Sequence, residues 1–164
     1  MHPEAFDGFS RSLTASGVDP DGRHDVLDIG GQDVNGSVHA LLPFSSITTL
    51  DLENADIIAD ATTWRSDQRF DLVIATEVFE HVKDWRAVVA TMRAHLQPGG
   101  VLVATCASTA RQRHGATGAP EPAEGEHYGN VHPDDLRVVL RRLFREYDVE
   151  YQYPPGDAYM WARA

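Results

Sequence analysis

The segment Phe70–Thr76, "FDLVIAT", carries apolar side chains at five of its seven positions. In a strand successive side chains point to opposite faces. Leu72 and Ile74 therefore project one way, Val73 and Ala75 the other, and both sides need cover. A strand wetted on one face would alternate apolar with polar residues. This one reads instead as a central parallel strand buried on both faces.

The flanking segments fit such a sheet. "VLDI" (26–29) is a short strand, followed by a helix of about two turns over 37–42 that Pro43 ends. "ITTLDL" (47–52) is β-branched and strand-like, and "DIIAD" (56–60) is a further short apolar run. Asp84 can cap a helix with Trp85, Val88, Val89, Met92 and Leu96 at helical spacing. Gln97-Pro98-Gly99-Gly100 stops it, and "VLVATCA" (101–107) returns as a strand. Ahead of all these, residues 3–16 form a short amphipathic helix with Phe6, Phe9 and Leu13 on one side.

Residues 108–130 show no periodicity and several Gly and Pro. A loop longer than about 15 residues in a compact domain is usually functional or disordered. Beyond it, Pro133 starts a helix with Leu136, Val139, Leu140 and Leu143 in register. "REYDVEYQY" (145–153) and "AYMWARA" (158–164) are two final strands, and the joint Pro154-Pro155-Gly156-Asp157 is short enough to make them an antiparallel hairpin. Alternation of this kind gives a doubly wound α/β sheet. The closing hairpin separates it from dinucleotide-binding sheets, which normally end parallel.

A chain of 164 residues reads as one domain over 1–164. Its formal net charge of −11 repels phosphate backbones, so extended nucleic-acid binding is not expected and a small molecule is the expected partner. No apolar run approaches the roughly 20 residues of a membrane span. The first residues lack a basic start and an apolar core, so a cytoplasmic protein without a secretory signal is expected. Cys106 is the only cysteine, which leaves no internal disulfide and no cysteine-based zinc site. No metal site is read from the sequence, and oligomeric state is left open.

In open α/β sheets ligands bind outside the carboxyl ends of the strands, where strand order reverses. Four such ends are Gly30-Gly31, Asp51, Asp60 and Thr76-Glu77. Glycines let a ligand approach the backbone, and Asp51 can accept two charge-assisted hydrogen bonds from ribose hydroxyls. Asp60 can accept from the exocyclic amine of a base. No G-x-x-x-x-G-K-[ST] motif is present, which excludes a P-loop. Asp28 and Asp33 would disfavour a pyrophosphate and favour a sulfonium or α-ammonium group, hence a positively charged nucleoside over NAD.

Together "VLDIGG", "TTLDL", "IIADAT", "FDLVIATEVFEHV" and "LQPGGVLVATC" resemble the motifs of class I S-adenosylmethionine-dependent methyltransferases of the small-molecule type, over Val26 to Cys106. The resemblance implies a Rossmann-like, mostly parallel seven-stranded sheet ending in an antiparallel hairpin. It also implies S-adenosyl-L-methionine as cofactor, with Asp28, Gly30, Gly31, Asp33, Asn35, Asp51, Leu52, Asp60, Ala61, Thr76 and Glu77 around it. Asp28 either reaches the cofactor amine through water or caps backbone amides.

The family usually carries D/E-x-G-x-G-x-G, whereas Gln32 and Val34 replace the last two glycines here. The loop resembles a family sub-pattern of "xDVNGS" type, in which Asn35-Gly36 would supply a left-handed turn and Ser37 would cap the next helix.

His81 is either a general base or a packing residue at the rim. In "ARQRHG", Arg111, Arg113 and His114 either recognise a carboxylate, phosphate or sugar on the acceptor, with His114 a second candidate base, or form a solvated loop tip. His127 and Tyr128 can close over the substrate as a lid. The expected activity is methyl transfer to an oxygen or nitrogen of a small acceptor, a saccharide or specialised metabolite. The alternative is a protein that keeps the fold and binds a nucleoside or a partner chain without catalysis.

Overall fold

The computed structural model describes residues 2–31 and 36–164. Seven strands run β1 (Asp25–Ile29), β2 (Ser46–Asp51), β3 (Ile57–Ile58), β4 (Phe70–Thr76), β5 (Leu96–Ala107), β6 (Glu146–Gln152) and β7 (Asp157–Arg163). They form one sheet in the order β3-β2-β1-β4-β5-β7-β6. β1 to β5 are mutually parallel, and β7 runs antiparallel to both β5 and β6. The expected sheet and its terminal hairpin are both present.

β4 is covered on both faces. Val73 and Ala75 join a core cluster with Val88, Val89 and Met92 of α2 (Trp85–Ala94) and Leu136 and Leu140 of α3 (Pro133–Leu143). Leu72 and Ile74 join a second cluster with Phe9 and Leu13 of α1 (Pro3–Ala15) and with Val38 and Leu42. Helices of 10 and 11 residues are marginal alone in water. Each buried Val, Leu or Met adds about 1.5–3 kcal/mol, so the sheet holds them in place. Their ends are written locally. Asp84 accepts from the Ala87 amide at 3.3 Å, and Asp134 and Asp135 open α3 while Arg141 and Arg142 close it, in keeping with its dipole. Cys106 is fully buried in the first core cluster.

Three local expectations are corrected. Residues 37–42 make a single 3-10 turn, Val38–Leu41, rather than two helical turns. Only five residues lie between the Ser37 cap and Pro43, too few for a stable α-helical stretch. The 56–60 run pairs only through Ile57 and Ile58, because the Asp56 carboxylate accepts from the Thr49 amide and hydroxyl at 2.9 and 2.8 Å. Leu96 opens β5 opposite Phe70 rather than closing α2. Among the described residues no helix is long and apolar enough to cross a membrane.

Candidate functional site

Strand order reverses between β1 and β4. Their carboxyl ends bring Gly30 against Val78: Gly30 has φ +77°, and a Cβ on it would lie 2.4 Å from Val78 Cγ2. Only a bare backbone fits at this tip. Next to it, Gly31 packs on Thr49 and on Asp28. Asp28 is buried, with Oδ2 2.7 Å from His39 Nε2. Burial raises its carboxyl, and His39 pulls it back. His39 was not singled out in the sequence; it is carried on the 3-10 turn, where Ser37 Oγ accepts from the His39 amide at 3.1 Å. The expected Ser37 cap is therefore present, and Gly36 has the left-handed φ of +107°. Asp33 and Asn35 lie outside the described residues.

Asp51 ends β2, and its Oδ1 accepts from the Leu52 amide at 2.6 Å. Leu52 is 69% exposed, an apolar side chain presented to solvent at a strand tip. The Ala59 amide donates to the Asp51 carbonyl at 2.9 Å, which brings the two strand tips together. Asp60 Oδ1 accepts from the Thr62 hydroxyl and amide at 2.7 and 2.8 Å, and these bonds hold its carboxyl below the usual range. Ala61 is half-buried against the core.

Across the switch point, Thr76 ends β4 and Glu77 takes a left-handed φ of +57°. Such a conformation costs about 1–3 kcal/mol in a non-glycine residue. Here it turns the side chain so that Oε1 accepts from the Thr105 hydroxyl at 2.8 Å. Glu77 Oε2 lies 3.7 Å from His2 Nε2, and Asp157 Oδ2 lies 3.1 Å from the same nitrogen. Arg111 Nε approaches Asp157 Oδ1 at 3.6 Å. Burial acts to raise the Glu77 carboxyl, but His2 and the Thr105 hydroxyl outweigh it and hold it low. Sequence reading missed His2 and Asp157, because 155 positions separate them and only the fold joins them.

The His2 imidazole is pushed up to about 10, by Asp157 first and Glu77 second, against the effect of burial. Its unfolded value is about 6.5. The contact therefore stabilises fully below about pH 6.5 and is lost as pH rises through about 10. His2→Gln is expected to cost at most about 1 kcal/mol at pH 6 and nothing above pH 10. An NMR titration of the His2 ring with a midpoint near 6.5 would contradict this.

The 108–130 loop is held by its own hydrogen bonds and by the sheet. Glu126 accepts from the Ala116 and Ala123 amides, and Asn130 Nδ2 donates to the Arg111 carbonyl at 3.0 Å. The Gly129 amide donates to the Glu80 carbonyl at 2.8 Å and the Val131 amide to the Ala107 carbonyl at 3.0 Å. This folds His114 and Tyr128 onto His81, with ring centroids 5.0–5.4 Å apart in edge-on pairs. Arg113 lies over the Tyr128 ring at 5.8 Å, and His127 stays exposed. Beneath the rings, Glu80 is fully buried and Oε1 accepts from the Ala107 amide at 3.1 Å. Burial, and behind it the Glu77 charge, hold Glu80 well above the usual carboxylate range. Burial and then His114 lower His81. Glu80 was visible in "EVFEHV" but was not singled out. Surface recesses of about 450 and 330 Å³ lie at the other end of the sheet, lined by Arg69, Arg93 and Leu96 and by Asp25, Thr48 and Gln68.

A family model described as a methyltransferase domain matches residues 4–149. The chain belongs to this methyltransferase family. No curated protein sequence matches it significantly. Solved structures resemble it in fold. The N-methyltransferase NodS from Bradyrhizobium japonicum WM9, in complex with S-adenosyl-L-homocysteine, is 20% identical with a TM-score of 0.62, over 98% of this chain and 85% of that one. The Burkholderia thailandensis 1,6-didemethyltoxoflavin-N1-methyltransferase, bound to 1,6-didemethyltoxoflavin and S-adenosylhomocysteine, is 16% identical with a TM-score of 0.70, over 97% and 77%. DhpI bound to S-adenosylhomocysteine is 21% identical with a TM-score of 0.67, over 98% and 86%. In this methyltransferase the β2–β3 and β3–β4 connections carry no helix.

Proposed function

We propose that this methyltransferase moves the methyl group of S-adenosyl-L-methionine to an oxygen or nitrogen of a small acceptor, a saccharide or specialised metabolite. The observation that carries the reading is the bare Gly30 backbone at the switch point, with carboxylates at the neighbouring strand tips. The residues fit the cofactor: Gly30 keeps a left-handed turn tight against Val78 at the switch point, exposed Leu52 offers an apolar face for a purine, and the acids suit a sulfonium and an α-ammonium group. When bound, the cofactor supplies an electrophilic methyl on a positively charged sulfur.

In this reading Asp51 accepts from the ribose hydroxyls, Leu52 and Ala61 flank the adenine, and Asp60 receives its amine. Asp28, oriented by His39, faces the methionine amine together with Gly31, and Asp33 and Asn35, outside the described residues, are further candidates for cofactor binding. Thr76 and Glu77 line the path of the methyl group. Transfer is an in-line displacement, so most of the rate can come from positioning. His81 and His114 are the candidate bases, and the low pKa of His81 keeps it an acceptor near neutral pH. Arg111 and Arg113 recognise the acceptor, with Tyr128 and His127 at the loop's edge as its lid. The neighbouring folds include two proteins named as N-methyltransferases, which supports nitrogen among the acceptor atoms. The reading is of one domain over 1–164, acting in the cytoplasm without extended nucleic-acid contact, in keeping with the net charge of −11.

Calorimetry with S-adenosylhomocysteine tests the cofactor half, with micromolar binding expected and its absence decisive against the reading. A panel of amine, hydroxyl and sugar acceptors with labelled S-adenosylmethionine tests the second half. Binding without turnover on any of them would assign the non-catalytic alternative.

A further inference from the structure

We propose that Glu80, His81 and His114 form a binding site for a divalent transition metal ion of the zinc class. A carboxylate oxygen and one nitrogen from each ring lie within 4.8 Å of one another. Glu80 Oε2 and His81 Nδ1 are both buried and neither makes a hydrogen bond among the described residues, although Glu126 Oε1 stands 3.5 Å from His81 Nδ1. Two buried polar atoms without hydrogen bonds in one cluster are unfavourable unless something satisfies both, and a cation does so, displacing any proton from Nδ1. Two imidazoles and one carboxylate are also the donor set that zinc and its neighbours prefer over calcium or magnesium.

The surroundings orient the donors. The Gln112 carbonyl lies 3.1 Å from His114 Nδ1, which leaves Nε2 to face Glu80 Oε1 at 3.8 Å. The Ala107 amide fixes Glu80 at 3.1 Å, and the Tyr128 hydroxyl donates to the same Gln112 carbonyl at 3.2 Å. Backbone partners of this kind set the tautomer and aim of metal-bound histidines. Zinc takes its ligands at about 2.0–2.2 Å, so the donors must close up by roughly an ångström. His114, on the 108–130 loop, supplies that movement more readily than Glu80 and His81, which sit on the short 3-10 turn Phe79–His81 just after β4.

A second cluster, His2, Glu77 and Asp157, offers one imidazole and two carboxylates, and His2 Nε2 and Asp157 Oδ1 there also lack hydrogen bonds. There the carboxylates already face His2 and Arg111, so an added cation would meet positive charge. A three-ligand ion at the first cluster keeps positions open for an outside oxygen or nitrogen. With the ion bound, His81 and His114 serve as ligands in place of the base role; its use in holding the acceptor rests on the methyl-transfer reading, and the metal site itself does not.

The test is calorimetric titration of the chelator-stripped protein with Zn²⁺, with metal content by mass spectrometry. One equivalent is expected to bind with micromolar or tighter affinity. His81→Ala and His114→Ala should each weaken it at least tenfold, and His2→Ala should leave it unchanged. His114 is on a loop, so His114→Ala keeps the test open even if a Glu80 variant fails to fold. Absence of binding to the wild type, retention in either imidazole variant, or loss in His2→Ala would each overturn the assignment. S-adenosylhomocysteine titrated into the same samples separates the two ideas. Nucleoside binding without zinc sinks only the metal site, and zinc binding without nucleoside sinks only the cofactor reading.

Discussion

Asp51→Ala is expected to weaken S-adenosylhomocysteine binding about 30- to 100-fold. Two hydrogen bonds from ribose hydroxyls to a carboxylate are each worth about 1.5–3 kcal/mol when charge-assisted. Water filling the vacated space restores part of that. The side chain is only half-buried, and one of its contacts, the bond from the Leu52 amide at 2.6 Å, is local. Fold stability should therefore change by less than about 1 kcal/mol. Calorimetry checks the affinity, and a urea melt confirms that the variant is folded. A folded variant with wild-type affinity would remove Asp51 from the site.

Gly156→Ala is expected to destabilise the fold by about 2–4 kcal/mol. Gly156 has φ +103°, and a Cβ there would lie 2.6 Å from the Arg111 amide nitrogen and 2.7 Å from the Thr109 carbonyl. Left-handed strain and a clash with backbone each cost on the order of 1–3 kcal/mol. Neither neighbour can swing aside as a side-chain tip would. The Gly156 carbonyl also accepts from the Ser108 amide at 2.7 Å, so the variant pushes apart the hairpin and the start of the 108–130 loop. Asp157 and Arg111 should separate with them, and a urea midpoint shift worth less than 1 kcal/mol would show that the joint is looser than it looks.

What could be read in advance was whatever depends on neighbours in the chain. The apolar run of β4 announces two covered faces by itself, and Asp84 and Ser37 announce their caps. Gly30 and Asp51 were legible because glycine turns and strand-end carboxylates are local signals. The 37–42 segment was misjudged because its apolar residues have helical spacing while its length forbids a helix. The grouping of His2 and Asp157 with Glu77 and Arg111 was hidden for a different reason. His2, Glu77, Arg111 and Asp157 meet only after α1 has docked on the sheet and the hairpin has closed. Glu80 stood in plain view but shows its isolation only once its burial is known.

The sheet ends on one side in β3, a strand of two residues, and on the other in β6. β6 exposes Glu146, Asp148 and Glu150 along its length. Neither border offers a long, flat, uncharged row of peptide groups on which another molecule's strand could template itself. Concentrated solutions should accordingly resist edge-to-edge fibre growth.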